Sequence, residues 1–159
     1  MNVDTWRIGA VALVITAVIA YAVLSGVWVG TDSTWYRSLE QPSWQPPPLI
    51  FGVIWPYNFI ALTVVAAVVA WRGPGLRVSV LLIFLVASIA MALAWAYLFY
   101  VPHDLATAAI ALSAAAALTV PIVVIAFLTG PLWGALLLPY QVWLALAASL
   151  SWGYVRLHG

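Results

Sequence analysis

A chain of 159 residues that is 67% hydrophobic and only 6% charged, with a mean hydropathy of +1.13, has too few polar groups to cover a water-exposed surface. Five Arg against four Asp plus Glu leave a formal net charge of +1, so no basic field is present to hold nucleic acid, and that function class is excluded. Cysteine and lysine are both absent, which removes disulfides, thiolate chemistry, Cys-ligated metals and Schiff bases; ten Trp and ten Pro stand out instead.

A bilayer core of about 30 Å needs roughly 20 mostly apolar residues per helix. Runs of this kind predict an all-α integral membrane bundle of five transmembrane helices, a single domain over residues 1–159, at about 8–29, 49–71, 78–100, 105–128 and 132–155. The first run competes with a cleaved signal peptide, because Ala20-Tyr21-Ala22 resembles a small-x-small cleavage site. Asp4 spoils the basic leader that such a peptide needs, and the apolar run continues past the site, which favours a membrane span. A longer connection, 30–48, follows; with Trp35, Tyr36, Trp44 and four prolines it reads either as a stiff lid over the bundle mouth or as a set of headgroup anchors. Arg72-Gly73-Pro74-Gly75 stops the second span. After the third span, Val101-Pro102-His103-Asp104 forms a tight turn with Asp104 as N-cap of the fourth. Thr129-Gly130-Pro131 opens the fifth, and Pro121 and Pro139 predict kinks within the last two spans.

Five spans place Arg7, Arg72 and Arg77 on one side of the membrane. Arg37, Arg156, His103, His158, Asp32, Glu40 and Asp104 share the other, a small positive-inside bias toward a cytoplasmic N-terminus. No ionisable Asp, Glu, Lys, Arg or His falls within a span, which argues against proton relays, ion pumps and intramembrane metalloenzymes; no metal site is expected. His103 and His158 suit either a single haem ligand or an ordinary interfacial role. The polar groups left in the spans are Ser, Thr, Asn58, Gln141 and aromatic N–H and O–H donors, a set suited to a large, flat, mostly apolar ligand.

Aromatic residues converge at helical spacing. Tyr140, Trp143, Ala147, Leu150, Ser151 and Tyr154 share a face of the fifth span; Ser88, Ala92, Trp95 and Phe99 share one on the third; and Gly52, Trp55 and Phe59 align on the second. Antiparallel packing brings these faces together under the Pro-rich connection, as a pocket or as plain core packing. Small residues four apart, Ser88-Ala92-Ala96 and Ala90-Ala94 on the third span and Ala111-Ala115 on the fourth, are candidate seams for close helix packing or for a homodimer through the third helix.

Trp35-Tyr36-x-x-Leu39-x-Gln41-Pro42-Ser43-Trp44-x-Pro46-Pro47, followed by Phe51-Gly52-x-x-Trp55, resembles the first-loop and second-helix signature of the TspO/MBR family, the tryptophan-rich sensory and translocator proteins. Ala94-Trp95-x-x-Leu98-Phe99 and Pro139-Tyr140-x-x-Trp143-x-Ala145 support the likeness. The resemblance implies a receptor or sensor in a bacterial or archaeal cell membrane, in contact with membrane lipid and with porphyrin, sterol or benzodiazepine-type molecules held beneath the first loop. It requires no cofactor, with porphyrin or haem entering as ligand. It also implies ligand contacts at Trp44, Pro47, Trp55, Phe59, Ala92, Trp95, Phe99, Tyr140, Trp143, Ala147, Leu150 and Ser151. Family Asn positions fall at Ala92 and Ser151, making the site more apolar than is usual for the family. The alternatives are photo-oxidative porphyrin breakdown, with Trp95 and Trp143 as electron donors, and facilitated transport of lipid or porphyrin. Leu150, Tyr154 and Arg156 fit a proposed sterol-contact pattern, which a snorkelling Arg beside an interfacial Tyr explains equally well.

Overall fold

The structure is a computed structural model that describes residues 3–159. It contains α1 (Val3–Val29), α2 (Ser33–Ser38), α3 (Pro48–Arg72), α4 (Gly75–Tyr100), α5 (Leu105–Thr129) and α6 (Pro131–His158), with no strand among the described residues. Five of the helices are long and apolar enough to cross a bilayer, and each contains one of the spans expected from sequence. The helices outrun the apolar stretches at several ends. α1 includes the polar turn around Asp4 and Arg7, because backbone pairing continues into the headgroup layer after the hydrophobic run stops. The short helix α2 lies inside the connection that the sequence leaves as an irregular loop.

Local signals set the ends. Pro48 and Pro131 open α3 and α6, at a position where a missing N–H costs nothing. Asp32 accepts the Trp35 N–H at 2.9 Å to cap α2, and Asp104 accepts the Thr107 N–H at 3.0 Å to cap α5. α3, α5 and α6 each continue through an internal proline, Pro56, Pro121 and Pro139.

The long helices form a closed ring in the order α1, α3, α6, α5, α4 and back to α1, with α5 packed most extensively, against both α4 and α6. Ala108, Ala111 and Ala115 on α5 and Ser88, Ala92 and Ala96 on α4 are buried inside it. The small-residue rows of Ser88 and Ala111 are therefore consumed within one chain, where they let backbones approach closely. Ala90 faces outward on α4. α1 buries Ala10, Val14, Val18 and Tyr21, so the stretch around the cleavage-like tripeptide is part of the core. At one end of the ring Arg72 lies over the Trp133 ring, 5.9 Å from its centroid, and Arg77 donates to the Leu128 carbonyl at 3.2 Å. The 30–48 connection covers the other end.

Hydrogen bonds from the Thr107 hydroxyl and backbone N–H hold the Asp104 carboxyl below its ordinary range. A lowered carboxylate pKa contributes stability at pH values above the unfolded value, and that contribution is lost as pH falls through the folded value. Asp104→Ala is expected to lower the thermal midpoint at neutral pH, with the gap to the parent narrowing as the buffer is acidified. Thermal unfolding followed by circular dichroism in detergent across an acid pH series checks both parts.

Candidate ligand-binding site

Three helices carry the walls of the cavity because their bulky aromatics fall on one face each. α3 supplies Phe51, Trp55 and Phe59 at four-residue steps, α4 supplies Trp95 and Phe99, and α6 supplies Trp143, Ala147, Leu150, Ser151 and Tyr154. α1 closes the side with Tyr21, Ala22, Ser25, Gly26 and Val29, and the roof comes from α2 and the segment after it. The cavity volume is about 590 Å³, inside the range of roughly 300–1,000 Å³ typical of small-molecule pockets. α5 contributes no side chain to it.

The rings brace one another. Trp55 stacks on Phe59 with centroids 5.6 Å apart and meets Trp143 edge-on at 6.3 Å; Phe51 meets Trp143 edge-on at 5.1 Å; and Tyr21 meets Phe59 edge-on at 5.1 Å. Trp95 donates its indole N–H to Ser151 Oγ at 2.9 Å, which joins α4 to α6 and fixes one indole plane. Ser151 therefore serves as an acceptor for a wall residue.

The roof is tied down on both flanks. On the inner flank Tyr154 donates to Gln45 Oε1 at 2.5 Å, and the Gln45 amide donates to Tyr36 Oη at 3.4 Å. Tyr36 also packs against Phe99, Tyr100 and Tyr154. Trp35 stacks on His103 with centroids 3.7 Å apart and planes 12° from parallel. His103 holds a φ of 60°, a left-handed conformation that is unusual for a residue other than glycine. Its Nε2 lies 3.9 Å from Asp32 Oδ2. On the outer flank Trp44 donates to Ser149 Oγ at 3.3 Å, and His158 Nε2 pairs with the Glu40 carbonyl at 3.0 Å. At several roughly 0.5–1.5 kcal/mol ring contacts, this stitching is worth a few kcal/mol in total.

Trp55, Phe59, Trp95, Phe99, Trp143, Ala147, Leu150 and Ser151 stand together around the cavity as the sequence suggests. Others among the expected contacts do not line it. Trp44 lies on the outer flank of α6, 46% exposed, and anchors the roof from outside. Pro47 is exposed, while its neighbours Pro46 and Pro48 line the cavity. Ala92 and Tyr140 are buried within the bundle core. On α3 the lining row runs through Pro48, Phe51, Trp55 and Phe59, and Gly52 is exposed because the helix turns that position toward the outside. Leu150 and Tyr154 are buried and line the cavity, whereas Arg156 is exposed and does not. Two residues along a helix turn about 200°, so Tyr154 and Arg156 occupy opposite faces and do not build one lipid-facing surface. Neither histidine lines the cavity.

Sequence reasoning missed the α1 wall, although Ala22, Ser25, Gly26 and Val29 recur at three- and four-residue steps. Gly153 was missed too. A Cβ there would lie 2.7 Å from Pro42 Cγ and 2.9 Å from Trp44 Cζ2, so a glycine lets the roof rest directly on α6.

A ring of five membrane helices around a roofed, aromatic-walled cavity defines a helical membrane protein. The TspO/MBR family profile matches residues 6–157, and the chain belongs to that family. Among relatives, an uncharacterized membrane protein, YtaB, of Bacillus subtilis is 31% identical over 91% of this chain and 92% of its own length. A tryptophan-rich sensory protein of Cereibacter sphaeroides is 29% identical over 99% of this chain and 95% of its own. The Homo sapiens translocator protein is 27% identical over 77% and 74% respectively. With five apolar helices and such relatives, the chain is an integral multi-pass membrane protein.

Gly153→Ala is expected to push Pro42 and Trp44 off α6, an overpacking cost of about 1–3 kcal/mol. The Gln45 N–H, which donates to the Pro42 carbonyl at 2.9 Å, should then exchange with solvent about tenfold faster or more. Hydrogen exchange of the roof peptide in detergent, with a core peptide of α5 as internal reference, checks this.

Proposed function

We propose that this protein is a membrane receptor or sensor that holds a flat tetrapyrrole, a sterol or another hydrophobic molecule in the cavity beneath the roof. The observation that carries the reading is the cavity of about 590 Å³ with three indoles, Trp55, Trp95 and Trp143, among its walls. Planar apolar ligands gain both burial and ring contact in such a place. Ala147 leaves room between the walls, and the Tyr36, Gln45 and Tyr154 group closes the cavity toward the headgroup layer. The sensory and translocator names of the relatives support a role in recognising a molecule.

Titration of the detergent-purified protein with protoporphyrin, haem and cholesterol, read by intrinsic tryptophan fluorescence, tests this. Saturable change is expected with at least one of them, and Ala147→Phe should weaken it about tenfold or more by filling the space between the walls. Changes that stay linear in ligand and identical in the Ala147→Phe variant would overturn the reading.

A further inference from the structure

The cavity is apolar through most of its wall and charged at one place. Arg37 is the single residue with a formal charge among those lining it. Its position follows from how α2 is pinned. Asp32 caps the first turn, Trp35 is stacked on His103, and Tyr36 packs into the aromatic cluster of α4 and α6, so the next residue is held at the rim of the opening. The guanidinium is then steadied within its own helix: Nε donates to the Ser33 carbonyl and Nη2 to Ser33 Oγ, both at 3.0 Å.

Both of those acceptors are neutral. The carboxylates on this side of the bundle are placed elsewhere: Asp32 and Asp104 cap helices, and Glu40 does not line the cavity. Among the described residues, the close approach of a basic side chain to a carboxylate on this side is that of His103 to Asp32, and none involves Arg37. Two intrahelical bonds leave three of the five guanidinium N–H donors for an outside acceptor. Gln41, on the same rim, adds an amide. An exposed cation at the edge of an apolar chamber is complementary to a molecule with an apolar body and an acidic end.

Resting on the reading of the cavity as a ligand site, we infer that Arg37 selects for ligands bearing a carboxylate, which it binds at the rim while the apolar body lies against Trp55, Trp95 and Trp143. A charge-assisted bond from a planar guanidinium is stronger than a neutral one and discriminates an acid from its ester, which differs little in shape. The apolar body is either a flat ring or an acyl chain, and the two are separable by probe.

The experiment is a set of paired titrations of the parent, Arg37→Gln and Arg37→Lys, read by tryptophan quenching. Protoporphyrin is compared with its dimethyl ester, and a dibrominated fatty acid with its methyl ester; thermal midpoints confirm that the variants are folded. In the parent, the acid of whichever pair fits should bind about tenfold more tightly than its ester. Arg37→Gln should bring that ratio close to one, Arg37→Lys should keep part of it, and added salt should reduce it in the parent and in Arg37→Lys but leave Arg37→Gln unchanged. Preference confined to the porphyrin pair identifies a ring acid, and preference confined to the brominated pair an acyl acid; either supports the assignment. An acid-to-ester ratio that is the same in the parent and in Arg37→Gln, with saturable binding in both, overturns the role of Arg37 and leaves the cavity reading intact. Failure of every probe to saturate, with Ala147→Phe indistinguishable from the parent, overturns the cavity reading and this inference with it.

Discussion

Inside hydrocarbon each backbone N–H and C=O has to be paired within the chain, because no solvent is there to take its place. This constraint gives five uninterrupted helices. It also removes the usual means of telling an inner face from an outer one, since lipid tails are as apolar as a protein core. What separates the faces here is size. Small residues line the contacts of α4 with α5, where Ser88, Ala92, Ala96, Ala108 and Ala115 are nearly inaccessible, and large rings line the space that the ring of helices leaves open. The cavity thus results from bulky aromatics holding α1, α3, α4 and α6 apart at the end where α5 cannot fill the gap.

The roof obeys different rules because it lies beyond the apolar runs. Polar groups there have water as an alternative partner, so the Tyr154–Gln45–Tyr36 group and the Trp44–Ser149 pair each contribute modestly. Rigidity comes from covalent restriction instead. Prolines at 42, 46, 47 and 48 restrict the backbone of the segment before α3, and a few side-chain contacts then suffice to fix it against α6 and α4.

Much of this was legible in the sequence, for reasons that can be traced. The five spans follow from apolar length, and the α6 face from Tyr140 to Tyr154 follows from helical spacing; those residues are all buried. Distance from the cavity was not legible along that face, so Tyr140 was grouped with Trp143 although it lies in the core below. The α1 wall was hidden because α1 is apolar around nearly its whole circumference, so the small-residue row from Ala22 to Val29 has no polar opposite face to make it stand out. Within the roof the sequence showed aromatics and prolines but not their direction. The helical turn of α2 sends Tyr36 and Arg37 toward the cavity, and Gly153 draws Trp44 to the outside. Side-chain direction in a short irregular segment depends on partners distant in sequence, and Gly153 lies more than a hundred residues from Trp44.

α5 never touches the cavity, yet it stands between the two helices that carry Trp95 and Trp143. The separation of those indole walls is set by how closely α4 and α6 settle on α5, and that in turn by methyl-sized side chains such as Ala108 and Ala115. α5 therefore acts as a calliper. The width of the space between the indoles, as distinct from the identity of the groups that face it, is set by a helix that lines no part of it, and changing one methyl there would retune the gap while leaving every lining residue in place.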